Sequence, residues 1–211
     1  MAIHLIDLSP QEMTRRLGDA LDVYVTAMHY PSGAAGHRAS MWLEHTHRRG
    51  WQAVAALDVV DAEPAEPADR TKSAPGSDLP PLALANAPLL GVAYGYCGAP
   101  DQWWQQQVLL GLRRHRLPES DIAQLMTNYF ELTELHIVPH AQGHGLGEAL
   151  ARRLLADRTE ANVLLSTPEC RGEDNRAWRL YRRLGFTDII RGHRFAGDPR
   201  AFAILGRALP L

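Results

Sequence analysis

The stretch YFELTELHIVPHAQGHGLGEALARRLL, which runs from Tyr129 to Leu155, decides the predicted fold. Its first ten residues are mostly aromatic, β-branched or apolar, which predicts a strand that ends before Pro139. A loop with three glycines follows: Gly143, Gly145 and Gly147. Leucines then recur every four residues up to Leu154, which predicts a helix with one apolar face.

The glycine loop between this strand and this helix is suited to an anion. Glycine lets the backbone approach a ligand closely, and the first amides of a helix have no partner within it. With the positive end of the helix dipole, these amides favour a phosphate or a diphosphate. Glycines alone leave three interpretations open: a dinucleotide fingerprint, a Walker A loop, or a plain turn before a helix. Glu148 stands where a dinucleotide fingerprint requires its third glycine, and the loop lacks the lysine that a Walker A motif requires.

Two motifs in the second half of the chain help to choose among the interpretations of the glycine loop. The hexapeptide QGHGLG at Gln142 to Gly147 fits Q/R-x-x-G-x-G/A and follows LHIVP. It resembles motif A of the GNAT superfamily of acetyl-CoA-dependent N-acetyltransferases. The stretch DNRAWRLYRRLGF, which ends at Phe186, is similar to that family's second signature, N-x-x-A-x-x-L-Y-x-x-x-G-F. It departs from the signature at Asp174, where the family usually has asparagine, and Asn175 stands one place later.

The resemblance implies an α/β fold in one GNAT-like domain over residues 1–211. Its sheet would be mixed and mostly antiparallel, flanked by helices, with two neighbouring strands splayed at the acetyl-CoA cleft. Residues 61–88 hold six of the fourteen prolines, so we expect a mobile Pro/Ala-rich loop there. The loop would be inserted between the strands of one hairpin, Trp51–Leu57 and Leu89–Tyr96.

The resemblance also implies which residues bind acetyl-CoA. The diphosphate would contact the backbone amides of the glycine loop: Gln142, Gly143, His144, Gly145, Leu146 and Gly147. The pantetheine arm would pair like a strand with three residues of the preceding strand: Leu135, His136 and Ile137. The N–H of Leu135 is the first choice as donor to the thioester oxygen. Asn175 is a further expected contact of the pantetheine arm.

Two side chains are the catalytic candidates. An attacking amine must lose a proton, because an alkyl ammonium has a pKa of ~10. Glu131 stands where several family members place the general base. Strict alternation along a strand puts Glu131 and Glu134 on opposite faces, so either carboxylate could face the cleft. Tyr181 matches the tyrosine that protonates the departing thiolate in many family members, and its alternative is a core aromatic.

The acceptor is left open between a small-molecule amine or hydrazide and a protein lysine or N-terminus. In this family, acceptor pockets are built near the first two helices and the central strand. Here the corresponding segments are His29–Trp42 and Asp101–Asn128, and the second begins with the pair Trp103 and Trp104. Two other classes stay open: a non-catalytic acyl-CoA sensor or scaffold of the same fold, and a dinucleotide oxidoreductase.

Composition narrows the partners and the location. The 22 Lys and Arg residues nearly balance 24 Asp and Glu residues, which argues against a dedicated nucleic-acid or anionic-membrane binder. With two cysteines, no long apolar run and no basic N-terminal region, we expect a cytoplasmic protein without a membrane span. His136, His140 and His144 are spaced by four residues, but Pro139 and Gly143 break any helix that would bring them to one face. No metal is therefore expected. Monomer and homodimer both stay open.

Overall fold

A computed structural model describes residues 2–31, 33–59 and 86–211 of the chain. Within these residues, seven strands form one sheet in the order β1-β2-β3-β4-β5-β7-β6. The strands are β1 Ala2–Leu8, β2 Gln52–Val59, β3 Leu89–Cys97, β4 Tyr129–Ile137, β5 Asn162–Pro168, β6 Thr187–His193 and β7 Phe202–Ala208. Neighbouring strands are antiparallel except β4 and β5, which are parallel. The predicted mixed, mostly antiparallel sheet is confirmed.

Helices cover both faces of the sheet. They are α1 Pro10–Arg15, α2 Leu17–Met28, α3 Ala34–His45, α4 Trp103–Arg114, α5 Glu119–Thr127, α6 Leu146–Leu155 and α7 Arg176–Arg183. On one face, Tyr24 of α2 contacts His136 edge-on, with ring centroids 5.0 Å apart. On the other, a Cβ added to Gly147 of α6 would lie 3.7 Å from Leu135. The two faces of β4 are therefore covered by different helices.

The N-terminal helix is interrupted where the sequence predicts one continuous run through Met28. Ser9 caps α1 as expected, with its side chain accepting from the Glu12 N–H at 3.2 Å. Arg16 then leaves helical geometry and α2 begins at Leu17.

The next predicted boundaries are also wrong. α3 begins at Ala34 and ends at His45, whereas the pattern predicts a loop over Pro31–Gly36 and a helix over Ala39–Arg49. In the sequence, Pro118 indicates only the end of the helix that begins at Trp103, so the pattern does not predict α5. Pro118 instead immediately precedes α5, a place where its fixed φ and missing N–H are tolerated.

The flanks of the proline-rich segment pair as one hairpin. β2 and β3 are antiparallel, with Gln52 opposite Gly95 and Ala55 opposite Val92, so the predicted hairpin is confirmed. The expected mobile loop over 61–88 falls mainly on residues 60–85, which lie outside the described residues. Its mobility stays a prediction.

β4 contains a bulge that changes which side chains share a face. Glu134 lies opposite Tyr94 and Glu131 lies opposite Tyr96, whereas the register shifts between these two pairs. Thr133 is the extra residue, because three steps on β4 match two steps on β3. Since Tyr94 and Tyr96 are two residues apart, they share a face, and so do Glu131 and Glu134. The alternation that placed the two carboxylates on opposite faces is wrong.

Candidate active site

The strands β4 and β5 separate after their first three residue pairs. The last paired residues are Glu131 and Leu164, although β4 continues to Ile137 and β5 to Pro168. An open cavity of about 520 Å³ lies beside the unpaired part of β4 and the first turns of α6 and α7. The predicted splay of two neighbouring strands is confirmed.

The unpaired edge of β4 offers backbone groups to this cavity. Val138 N–H donates to the Leu90 carbonyl of β3 at 2.9 Å. Because successive N–H groups of a strand point to opposite sides, those of Leu135 and Ile137 point away from β3, toward the gap. The Ile137 carbonyl on that side accepts a hydrogen bond of 2.8 Å from Gln142 Nε2.

The glycine loop presents a row of free amides. Gly143 and Gly145 have φ of 89° and 81°, the left-handed region that glycine adopts at little cost, and Leu146 begins α6. Gln142 N–H donates to the Pro139 carbonyl at 3.3 Å. Among the described residues, no backbone partner is found for the N–H groups of residues 143–147. The free amides therefore begin one residue later than the sequence indicated.

Nine of the ten residues selected as cofactor contacts line the cavity. They are Leu135, His136, Ile137, Gln142, Gly143, Gly145, Leu146, Gly147 and Asn175. His144 lies exposed in the loop and outside this lining. An added Cβ at Gly143 or Gly145 would meet nothing within 4 Å, so both peptides face open space.

Asn175, and not Asp174, caps the N-terminus of α7. Its side-chain oxygen accepts from the Trp178 N–H at 2.9 Å and so caps α7. Asp174 instead pairs with Arg179 at the surface, 2.7 Å away. Because aspartate is a common helix cap, the sequence alone predicts that Asp174 caps this helix and that the helix begins at Glu173. Both predictions are wrong, since α7 begins at Arg176.

Arginines of α7 line the cavity although they were interpreted mainly as a solvated helix face. Arg176, Arg179 and Arg183 contribute to the lining. Arg176 Nη1 donates to Gln142 Oε1 at 2.6 Å and links α7 to the glycine loop. Arg182 turns away and pairs with Glu173 at 2.7 Å. The end of α2 also reaches the cavity, through Ala27 and Met28, which no motif had indicated.

Glu131 is a buried carboxylate without an ion-pair partner among the described residues. It is 3% exposed, and its Oε2 has no hydrogen-bond partner there. Burial raises the pKa of Glu131 to about 8, although the Arg48 guanidinium and the hydroxyls of Tyr96 and Thr133 lower it. Arg48 itself donates to Tyr96 OH at 2.9 Å. A carboxyl that titrates near neutral pH can serve as a proton acceptor.

Glu134 is held by two neighbours on the same face. His136 Nε2 lies 2.6 Å from Glu134 Oε2, and Arg38 Nη1 lies 3.6 Å from Oε1. The Arg38 guanidinium also stacks over Tyr24, 5.2 Å from the ring centroid. Glu134 therefore has ion-pair partners, whereas Glu131 has none among the described residues.

Tyr181 lies against the core below the cavity. It is 8% exposed and contacts Phe186 edge-on, with centroids 5.8 Å apart. Burial, followed by the charge of Glu134, raises the pKa of Tyr181 to about 12. The phenol is therefore protonated at neutral pH, as a proton donor must be. Its contacts confirm the core alternative. Tyr181 is not among the described residues that line the cavity, so its role as a proton donor stays a prediction.

The two tryptophans of the expected acceptor segment point in different directions. Trp104 is buried and packs on Tyr129, with centroids 5.9 Å apart, whereas Trp103 is 51% exposed beside Phe195. From the other segment, Trp42 is buried against Tyr94, and Tyr30 accepts a hydrogen bond of 2.9 Å from Arg200.

Comparison with known proteins identifies the family. The model described as the acetyltransferase (GNAT) family matches residues 52–186, more than half of the chain. The chain belongs to the GNAT family. This GNAT protein is also 73% identical, over 212 aligned positions that cover both chains fully, to the GCN5-like protein acetyltransferase Rv2170 of Mycobacterium tuberculosis.

Solved structures show the same fold. NAA60 of Arabidopsis thaliana in complex with acetyl-CoA has a TM-score of 0.53 at 14% identity, with 99% of each chain covered. The PaiA N-acetyltransferase of Thermoplasma acidophilum in complex with coenzyme A has a TM-score of 0.54 at 12% identity, with 99% of this chain and 100% of that one covered.

Family membership decides among the classes that the sequence left open. This GNAT protein is an enzyme of an acetyl-CoA-dependent acetyltransferase family, so the sensor and oxidoreductase alternatives lose their support. Within the described residues, no helix has the length and apolar character needed to cross a bilayer. In the same part of the chain, no cluster of His, Cys, Asp and Glu is suited to a metal ion.

Proposed function

We propose that this GNAT enzyme acetylates the side-chain amine of a protein lysine by direct attack in a ternary complex. The choice of a protein acceptor is supported by the relative at 73% identity, which is named a protein acetyltransferase. The observation that carries the chemistry is Glu131, a buried carboxylate with an unpartnered oxygen on the strand beside the open cavity.

The cavity has the groups that acetyl-CoA requires. Acetyl-CoA supplies an acetyl group activated as a thioester. The free amides at the start of α6, which begin at Gly143, are suited to its diphosphate. The N–H groups of Leu135 and Ile137 on the open edge of β4 are suited to its amide-bearing arm. We assign Leu135 N–H as the donor to the thioester oxygen, where negative charge develops.

Proton transfers are assigned to two buried side chains. Glu131 accepts the proton of the acceptor ammonium, directly or through one water, because it is a buried carboxyl on the cofactor strand without an ion-pair partner among the described residues. Tyr181 donates a proton to the departing thiolate, which its raised pKa of about 12 permits at neutral pH. No covalent acetyl-enzyme is needed, so Cys97 and Cys170 take no part. Both are free thiols, which agrees with the cytosolic location that we also propose.

One experiment distinguishes a protein lysine from the other acceptor classes. A small amine or hydrazide and a protein N-terminus require the same loss of a proton, so Glu131 does not distinguish them. Purified protein is incubated with acetyl-CoA and, separately, a lysine peptide, the same peptide with an N-terminal acetyl cap, and a panel of small amines and hydrazides. Mass spectrometry then locates the acetyl group. Acetylated lysine in the capped peptide supports the proposal, and acetylation of small amines alone overturns the choice of a protein acceptor.

A further inference from the structure

A second, smaller pocket lies away from the cofactor cavity, where the end of α4 meets the end of β6. It encloses about 150 Å³, which is enough for a single carboxylate or phosphate group. Its lining consists of two glycines and four basic residues: Gly111, Arg114, His115, Gly192, His193 and Arg194. None of the acidic side chains in the described ranges lines it.

The basic side chains of this pocket have no acidic partners among the described residues. Arg114 and His115 form no ion pair there, and Arg194 donates only to the Pro199 carbonyl. Arg113, in the same turn of α4, pairs with Glu119 at 2.9 Å. The positive charge of the pocket is thus uncompensated, although its neighbour on the helix is neutralised.

His193 adds a buried polar group. It is 5% exposed and packs edge-on against Phe195, with centroids 4.6 Å apart. Its Nε2 is buried and has no hydrogen-bond partner in the part of the chain that the structure describes, a situation that native proteins mostly avoid. A Cβ at Gly111 would lie 2.6 Å from His193 Nδ1, so only glycine lets the helix approach this ring.

The pocket lies at the same edge of the sheet as the cofactor cavity. His193 is paired with Phe202, and Phe202 with Pro168 at the end of β5. β6 is therefore two strand spacings, about 10 Å, from β5. The same face of the sheet carries Glu131, because its partner Leu164 packs in one cluster with Val108 of α4.

We propose that this pocket binds a carboxylate of the acceptor polypeptide, from an aspartate or glutamate near the lysine that is acetylated. This inference rests on the proposed function. Guanidinium groups match the planar geometry of a carboxylate and are favoured for its recognition. The segment that starts at Arg194 ends at Arg200, which donates to the Tyr30 hydroxyl at 2.9 Å. Tyr30 comes two residues after Met28 of the cavity lining, so this segment connects the basic pocket with the end of α2 at the cavity. A free phosphate would satisfy the same chemistry, and the test separates the two sources.

The test uses two lysine peptides that differ only in glutamate or glutamine at positions flanking the lysine. The wild-type enzyme should prefer the acidic peptide about tenfold in kcat/KM, the effect of one charge-assisted contact. Arg114→Gln and Arg194→Gln should each bring this ratio close to one. Arg113→Gln removes the same charge from the same turn but outside the pocket, and should keep the preference.

The outcomes separate this inference from the proposed function. If the wild-type enzyme acetylates neither peptide, the proposed function fails. If it acetylates both, and the ratio of kcat/KM for the two peptides is the same in the wild type and in Arg114→Gln, the pocket does not bind a carboxylate of the acceptor. Inorganic phosphate is titrated in parallel while the His193 ring signals are followed by NMR. Signals that shift with phosphate, in an enzyme whose peptide preference is unaffected by phosphate, would assign the pocket to a free anion and overturn the inference.

Discussion

Glu131 and Glu134 lie on the same face of β4, although they are three positions apart along the strand. The bulge at Thr133 produces this arrangement, and it places two carboxylates side by side over Tyr96 and Tyr94. The side chain of Glu134 pairs with His136 and Arg38. The geometry therefore distinguishes Glu134, which has ion-pair partners, from the buried Glu131, which has none among the described residues and which we propose as the proton acceptor.

The first prediction concerns the pH dependence of acetyl transfer. A general base works when ionised, so the rate should rise with pH through the Glu131 pKa of about 8. Glu131→Gln should lower kcat by about 100-fold and remove this rise. Initial rates of thiol release across the pH range measure both effects. Glu134→Gln is the matched variant and should keep the rise, so a rise that disappears in Glu134→Gln instead would reassign the base.

The second prediction is that Glu131→Gln stabilises the protein. Between about pH 4.5 and the folded pKa of about 8, the folded state keeps a proton that the unfolded state releases. Stability should therefore fall as pH rises through this window, by at most about 1.4 kcal/mol per pH unit. Gln does not titrate, so the stability of Glu131→Gln lacks this dependence on pH. Its free energy of unfolding, relative to that of the wild type, should therefore increase from about pH 5 to about pH 8. Urea unfolding at several pH values would show a constant difference if burial does not perturb Glu131.

The third prediction is that Tyr181→Phe lowers kcat by about tenfold to 100-fold and leaves the Kd of CoA nearly unchanged. Phe keeps the edge-on contact with Phe186 and removes only the hydroxyl, so packing is preserved. Stopped-flow thiol release and calorimetric CoA binding separate the two effects. Unchanged turnover would leave Tyr181 as a core residue only.

The fourth prediction concerns the glycine loop. Gly145→Ala forces a φ of 81° on alanine, at a cost of about 1 kcal/mol, and displaces the free amides at the start of α6. CoA affinity should fall, as measured by calorimetry. Gly18→Ala is the control, because an added Cβ there meets no described residue within 4 Å and Gly18 lies in the first turn of α2, where alanine is readily accommodated. Equal CoA affinity in both variants would show that the loop does not hold the diphosphate.

The strand, glycine loop and helix from Tyr129 to Leu155 could be predicted because each has a local signal. Proline ends the strand, glycine supplies positive φ, and leucines recur at helical spacing. The splayed strands followed from the family resemblance.

The bulge could not be predicted from alternation, because Glu131 and Glu134 are the same residue type and only their register with β3 reveals the extra residue. The cap of α7 was misplaced for a similar reason. Aspartate and asparagine are both good caps, and the choice of Asn175 depends on where the Trp178 N–H points. The basic pocket depends on contacts between α4 and β6, distant in sequence, so it has no sequence signature.

Two-substrate initial-rate kinetics test the central claim most directly. The proposed direct attack requires acetyl-CoA and the lysine peptide to occupy the enzyme together. Reciprocal plots at several fixed peptide concentrations should therefore intersect, and thiol release should depend on the peptide. Parallel plots, or thiol release with the acetyl group left on the enzyme, would contradict a ternary complex.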